Sequence, residues 1–123
     1  MNSPSPNASQ RSICVCITGG VAAYKMAGVV SALAQQGDNV TVILTATAQR
    51  FIGEATFYAL SGNPVITSVF DIDSAPFGTH IQVATTCELL LVAPATANFI
   101  AKASQGISDC IASTTYLAFR GPI

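Results

Sequence analysis

Tryptophan is absent, histidine occurs once in 123 residues, and charged side chains make up only 9% of the chain. With a formal net charge of −1, the chain has no broad electrostatic footprint for nucleic acid or an anionic membrane surface. Neither is expected as a partner. The four cysteines include no C-x-x-C pair, and with His80 alone they form no zinc-ligand pattern, so no metal site is expected. The longest apolar stretch, 89–95, has the length of a strand and falls far short of the ~20 residues of a membrane helix. The first twelve residues are polar, rich in Pro, Ser and Asn, and carry no apolar signal-peptide core. They read as a flexible arm (1–12) before one domain (13–123), with a cytoplasmic location and reduced thiols. So few charges on an otherwise apolar chain leave surface for another subunit to cover, which predicts a homo-oligomer.

What is present is an alternation of strands and helices. Residues 13–17 form a continuous apolar, partly β-branched run, as in a strand buried on both faces, and it ends at Thr18-Gly19-Gly20. From 21 to 36 the apolar spacing lengthens to that of a helix, with Gly37 in the place of a C-terminal cap. The unit repeats as a strand over 39–44, Thr45-Ala46-Thr47, and a helix over 48–61 closed by Gly62. A short third strand over 64–69 and a loop over 70–78 lead to a helix over 79–86 capped by Thr79. A fourth strand over 88–93, helices over 96–105 and from Ser108 or Asp109 to about 119, and a strand starting at Gly121 complete the pattern. This is an α/β chain: a three-layer sandwich around a Rossmann-like parallel sheet.

In such sheets ligands bind at the carboxyl ends of the strands, where the winding reverses. Three segments converge there: Thr18-Gly19-Gly20, Thr45-Ala46-Thr47, and Pro94 with Thr96, Ala97 and Asn98. Gly19 and Gly20 permit a sharp turn that turns backbone N–H groups toward an anion. The hydroxyls of Thr18, Thr45 and Thr47 suit a monophosphate held by dipoles. The G-x-G-x-x-G fingerprint and an acidic residue ending the second strand are both missing, which disfavours NAD. Small Thr96 and Ala97 let a flat ring approach the backbone while Asn98 meets its polar edge. His80 stands as a proton-transfer group beside this cradle. Each feature also has a plainer reading: an ordinary Gly-Gly turn, a Thr helix cap, and a surface histidine.

Read together, Gly19-Gly20-Val21-Ala22-Ala23-Tyr24-Lys25, Thr45-Ala46-Thr47-Ala48-Gln49-Arg50-Phe51, His80-Ile81, Ala93-Pro94-Ala95-Thr96-Ala97-Asn98 and Gly106-Ile107-Ser108-Asp109 resemble the flavin-dependent cysteine decarboxylases. Within them the likeness is greatest to the phosphopantothenoylcysteine decarboxylases of coenzyme A biosynthesis. The resemblance implies FMN, with its phosphate near Gly19, Gly20 and Thr45 and its ring near Thr96, Ala97 and Asn98, Phe51 adding to the site. It assigns His80 to the active site, deprotonating or orienting a cysteinyl substrate while the flavin takes a hydride from the cysteine side chain. The resulting thioaldehyde is the electron sink for loss of the carboxylate. The resemblance also implies trimers or multiples of trimers.

Departures from the family pattern lie at Thr86-Cys87-Glu88, Gln82 and Cys110. Family members continue into a Pro-Ala-Met-Asn segment and a flap cysteine, so the chain is expected to be truncated at its C-terminal end. Alternatives are a flavin-binding regulatory or inactive homologue, a peptidyl-cysteine decarboxylase and, more remotely, a flavin prenyltransferase.

Overall fold

The computed structural model describes residues 10–70 and 78–123. Three parallel strands, β1 (Ser12–Ile17), β2 (Asn39–Leu44) and β3 (Leu89–Val92), lie in the order β2-β1-β3. Ile13 is in register with Val40 on one side and Leu89 on the other. The ladder extends past the strands' first residues, because Asn39 N–H donates to Arg11 O (2.7 Å) and Glu88 N–H to Ser12 O (2.8 Å). Cys14, Val15, Cys16 and Ile17 are wholly buried, as the continuous apolar run predicts for a central strand.

The period of two divides that run between two cores. Ile13, Val15 and Ile17 face the layer of α1 (Met26–Gln35) and α2 (Glu54–Ser61), packing with Met26, Val30 and Phe57. Cys14 and Cys16 face the layer of α3 (Thr79–Thr86), α4 (Ala97–Gln105) and α5 (Ile111–Ala118), among Val83, Phe99 and Ile111. Phe99 meets Tyr116 edge-on at 5.8 Å and 88°, which ties α4 to α5. Burying Phe57 completely stabilises the first layer by roughly 3 kcal/mol. The three-layer α/β sandwich is the fold the alternating pattern predicts.

Several elements differ from expectation. The predicted third strand, 64–69, makes a single parallel bridge at Ile66: Leu44 N–H donates to Ile66 O and Ile66 N–H to Val42 O, each 2.9 Å. Pro64 has no N–H for a ladder, and the Asn63 side chain already donates to Val40 O at 2.7 Å. The helix predicted over 21–36 opens as a 3-10 turn, Val21–Lys25, and that over 48–61 splits into a 3-10 turn, Ala48–Arg50, and α2. Gly78, not Thr79, is the N-cap of α3; Thr79 Oγ1 instead donates to Ser68 O at 3.2 Å. Neither Ser108 nor Asp109 caps α5: Ser108 Oγ lies 2.7 Å from Thr114 Oγ1, Asp109 pairs with Lys102 at 3.0 Å, and Cys110 takes the cap position with Ser113. Residues 1–9 of the predicted arm and 71–77 of the predicted loop lie outside the described residues.

Leu90 N–H donates to Pro122 O at 3.0 Å, so the last residues run along the free edge of β3. The chain thus winds outward from β1 through β2 to Ile66, then crosses back to β3 on the other side of β1. The winding reverses between the carboxyl ends of β1 and β3.

Candidate functional site

At that reversal the three strand-end loops touch through Thr18, Gly19 and Gly20. Thr18 is 3% exposed; its Oγ1 donates to Pro94 O and accepts from Thr96 N–H at 3.1 Å. Gly20 packs on the same loop, where a Cβ would stand 3.6 Å from Pro94 Cγ and 3.8 Å from Thr96 Cγ2. On the other side, a Cβ on Gly19 would lie 2.5 Å from Thr47 Cβ and 3.0 Å from its carbonyl carbon. Only glycine permits so close an approach. Sequence reasoning expected the Gly-Gly turn to leave its N–H groups free. Gly20 N–H instead donates to Thr18 O at 2.9 Å, because the tight turn brings that carbonyl within reach.

In the second loop, Thr45 Oγ1 accepts from Ala48 N–H at 3.2 Å and Thr45 O from Gln49 N–H at 3.1 Å. These bonds curl the chain into its 3-10 turn and leave Thr47 and Phe51 exposed, Phe51 with 49% of its surface. In the third loop Thr96 is the N-cap of α4, its Oγ1 accepting from Phe99 N–H at 3.2 Å while Thr96 O accepts from Ile100 N–H at 2.9 Å. Two donors of the first turn, on exposed Ala97 and Asn98, therefore have no acceptor within the helix. They lie at its positive end.

His80 sits in the first turn of α3, which starts at the same carboxyl edge because the helix runs back against the strands toward β3. Among the described residues its Nδ1 is buried and has no hydrogen-bond partner. Gly78, at φ +98°, passes so close that a Cβ there would stand 2.9 Å from His80 Cε1. His80 thus shares the edge with the three loops, although among the described residues no hydrogen bond joins it to them. No group of three or more metal-ligating side chains occurs among the described residues.

The Flavoprotein family model matches residues 1–123. The chain belongs to that family. It is 42% identical over 115 residues to the coenzyme A biosynthesis bifunctional protein CoaBC of Bacillus subtilis, covering 94% of this chain and 28% of that protein. The CoaBC protein of Mycobacterium tuberculosis H37Rv is 42% identical over 114 residues, 92% of this chain and 27% of the relative. The chain therefore spans little more than a quarter of these relatives. Among solved structures, the FMN-dependent cysteine decarboxylase SpaF superposes with a TM-score of 0.82 at 27% identity, over 94% of this chain and 66% of that one. A PPC decarboxylase mutant, at 19% identity and TM-score 0.75 over 90% of this chain and 65% of that one, shares the fold.

In this flavoprotein, sequence reasoning missed Gly78 and a contact between two cysteines. The Cys87 thiol is pulled down to about 7, chiefly by a hydrogen bond from Cys14, with the hydroxyls of Thr86 and Thr41 adding to it. The same bond, and then burial, push Cys14 well above the ordinary thiol range. Burial lifts Cys16 to about 12. No local spacing signals the Cys14–Cys87 pair, because the fold lays the end of α3 against β1. Gly78 had a signal in the Gly-Thr-His order at the start of a helix.

Proposed function

We propose that this chain binds FMN and decarboxylates a cysteinyl substrate, phosphopantothenoylcysteine, to yield phosphopantetheine in coenzyme A biosynthesis. The observation that carries this reading is the 42% identity to the Bacillus subtilis CoaBC protein across 94% of the chain, a span that includes every loop of the crevice. The crevice fits the cofactor: the N–H groups of Ala97 and Asn98, without an acceptor within the helix and at its positive end, suit the polar edge of a flavin. Gly19, Thr45 and Thr47 would hold the phosphate side, with Gly20 shaping the turn because its N–H is already given to Thr18 O, and Thr96, Ala97, Asn98 and Phe51 the ring side. Bound FMN would accept the hydride when the cysteinyl side chain is oxidised and return it, with a proton, to the aminoenethiol that loss of carbon dioxide leaves, so that the net decarboxylation is redox-neutral. The His80 imidazole takes or orients the substrate's proton, and the buried, unpartnered Nδ1 marks a ring whose hydrogen bonding is left for the reaction. The partner is this small molecule and a second copy of the chain, in a homo-oligomer built from trimers, working in the cytoplasm. No described helix is long and apolar enough to cross a membrane.

The test is an FMN titration followed by carbon dioxide release from phosphopantothenoylcysteine under anaerobic conditions. A yellow complex and repeated turnover are expected, with His80→Asn keeping the flavin and losing at least a hundredfold in rate. No flavin uptake would overturn the cofactor. Turnover of a peptide with C-terminal cysteine alone would overturn the substrate, and wild-type rates in His80→Asn would return the histidine to a structural part.

A further inference from the structure

We propose that Thr18 is a positioning residue that clasps the first strand-end loop to the third and thereby sets the direction of the free N–H groups on α4. A threonine hydroxyl has one proton and two acceptor lone pairs. The proton of Thr18 Oγ1 goes to Pro94 O, and one lone pair accepts Thr96 N–H at 3.1 Å. With the side chain 3% exposed, no donor remains for a phosphate or any other ligand. Its bonds act on the neighbouring loop instead. Thr96, held by Thr18, is itself the N-cap of α4 through Phe99 N–H at 3.2 Å, so β1, the third loop and the first turn of α4 form one hydrogen-bonded chain. The donors of Ala97 and Asn98 follow directly on Thr96 in that turn. At Gly20 an added Cβ would stand in ordinary contact with Pro94 and Thr96, at 3.6 and 3.8 Å, so the closing of the two loops rests on the clasp and not on that glycine.

The clasp does not depend on the cofactor, whereas its consequence for binding rests on the flavin reading above. Thr18→Val keeps the side chain's shape and deprives the part-buried Pro94 O and Thr96 N–H of their common partner. In the flavin-free protein, amide hydrogen exchange at Thr96 is expected to be protected in the wild type and in Thr18→Ser, and at least about fivefold faster in Thr18→Val. Titration with FMN and with riboflavin should then show both weakened by the same factor in the valine variant and restored by serine. An unchanged Thr96 amide in Thr18→Val overturns the clasp. A loss confined to FMN overturns it too, since that makes the hydroxyl a direct phosphate ligand. If the valine variant does not fold, Thr18→Cys, a weak donor and acceptor, takes its place: faster exchange at Thr96 supports the clasp and wild-type exchange overturns it. If no variant and no wild type takes up flavin, the functional reading fails while the exchange measurement still decides the clasp.

Discussion

Gly19 and Gly20 look alike in the sequence and differ sharply in what surrounds them. A methyl group on Gly19 would collide with Thr47, 2.5 Å from its Cβ, whereas on Gly20 the nearest atom is Pro94 Cγ at 3.6 Å, on an extended backbone at φ −131° and ψ 162°. Gly19→Ala is therefore expected to destabilise the protein by about 1–3 kcal/mol and Gly20→Ala by much less, as urea unfolding would measure. Equal losses would deny the close approach of the two loops. The cysteines separate in the same way. Cys87, half-buried with its thiol pulled down to about 7 by Cys14, should be alkylated by iodoacetamide at pH 7.5 well before Cys14 and Cys16, which burial and their neighbours hold protonated. Because an unfolded thiol ionises near 9 and the folded Cys87 near 7, the unfolded chain binds more protons in between. Stability then gains from pH 7 toward 9 and loses that contribution as pH falls through 7, by an amount that solvent reduces at a half-exposed group. Removing Cys87 by Cys87→Ser should flatten this slope in denaturation midpoints measured across the range.

Among the elements, capping decides more than propensity. α4 starts where Thr96 places its hydroxyl on Phe99 N–H, and the composition of the helix alone would allow a start a residue earlier. Thr96→Ala should cost about 1 kcal/mol, with Thr96→Ser recovering most of it, read from thermal unfolding of the flavin-free protein. A neutral alanine would show that packing of Phe99, not the cap, positions the helix. The starts of α3 and α5 escaped sequence reasoning for a related reason. Thr79 and Asp109 are good caps in isolation, yet tertiary partners, Ser68 O for one and Lys102 for the other, claim their side chains. The segment over 64–69 has a strand's apolar character but pairs only at Ile66, since Pro64 offers no donor and Asn63 occupies the carbonyl of Val40.

At the scale of the whole molecule, the described surface carries unpartnered apolar side chains on several elements: Val21 at 72% exposure before α1, Ile100 at 55% on α4 and Leu117 at 45% on α5. Charged residues, at 9% of the chain, are too few to separate them. Association of copies is the expected response. Multi-angle light scattering at micromolar concentration should give a mass that is a multiple of three times the 12.6 kDa chain, and a monomer with flavin bound would refute the proposed assembly. The same low charge is expected to leave the proposed assembly insensitive to moderate salt.

The sequence by itself determined the alternation of strands and helices, apart from the strands read over 64–69 and at Gly121, and the burial of β1 on both faces. A continuous apolar run such as Ile13 to Ile17 is stable only when both faces of the strand are covered, while which residues meet which helical layer is decided by the structure. It also carried the family, through motifs spread from Gly19 to Asp109 in the right order. Tertiary structure alone decided how the site is assembled. That Thr18 would spend its hydroxyl on Pro94 and Thr96, that Gly19 would lie against Thr47, and that Cys14 would meet Cys87 are contacts between residues far apart in the chain. Local spacing carries no trace of such contacts, because they arise only when a parallel sheet brings the ends of separate strands to one edge.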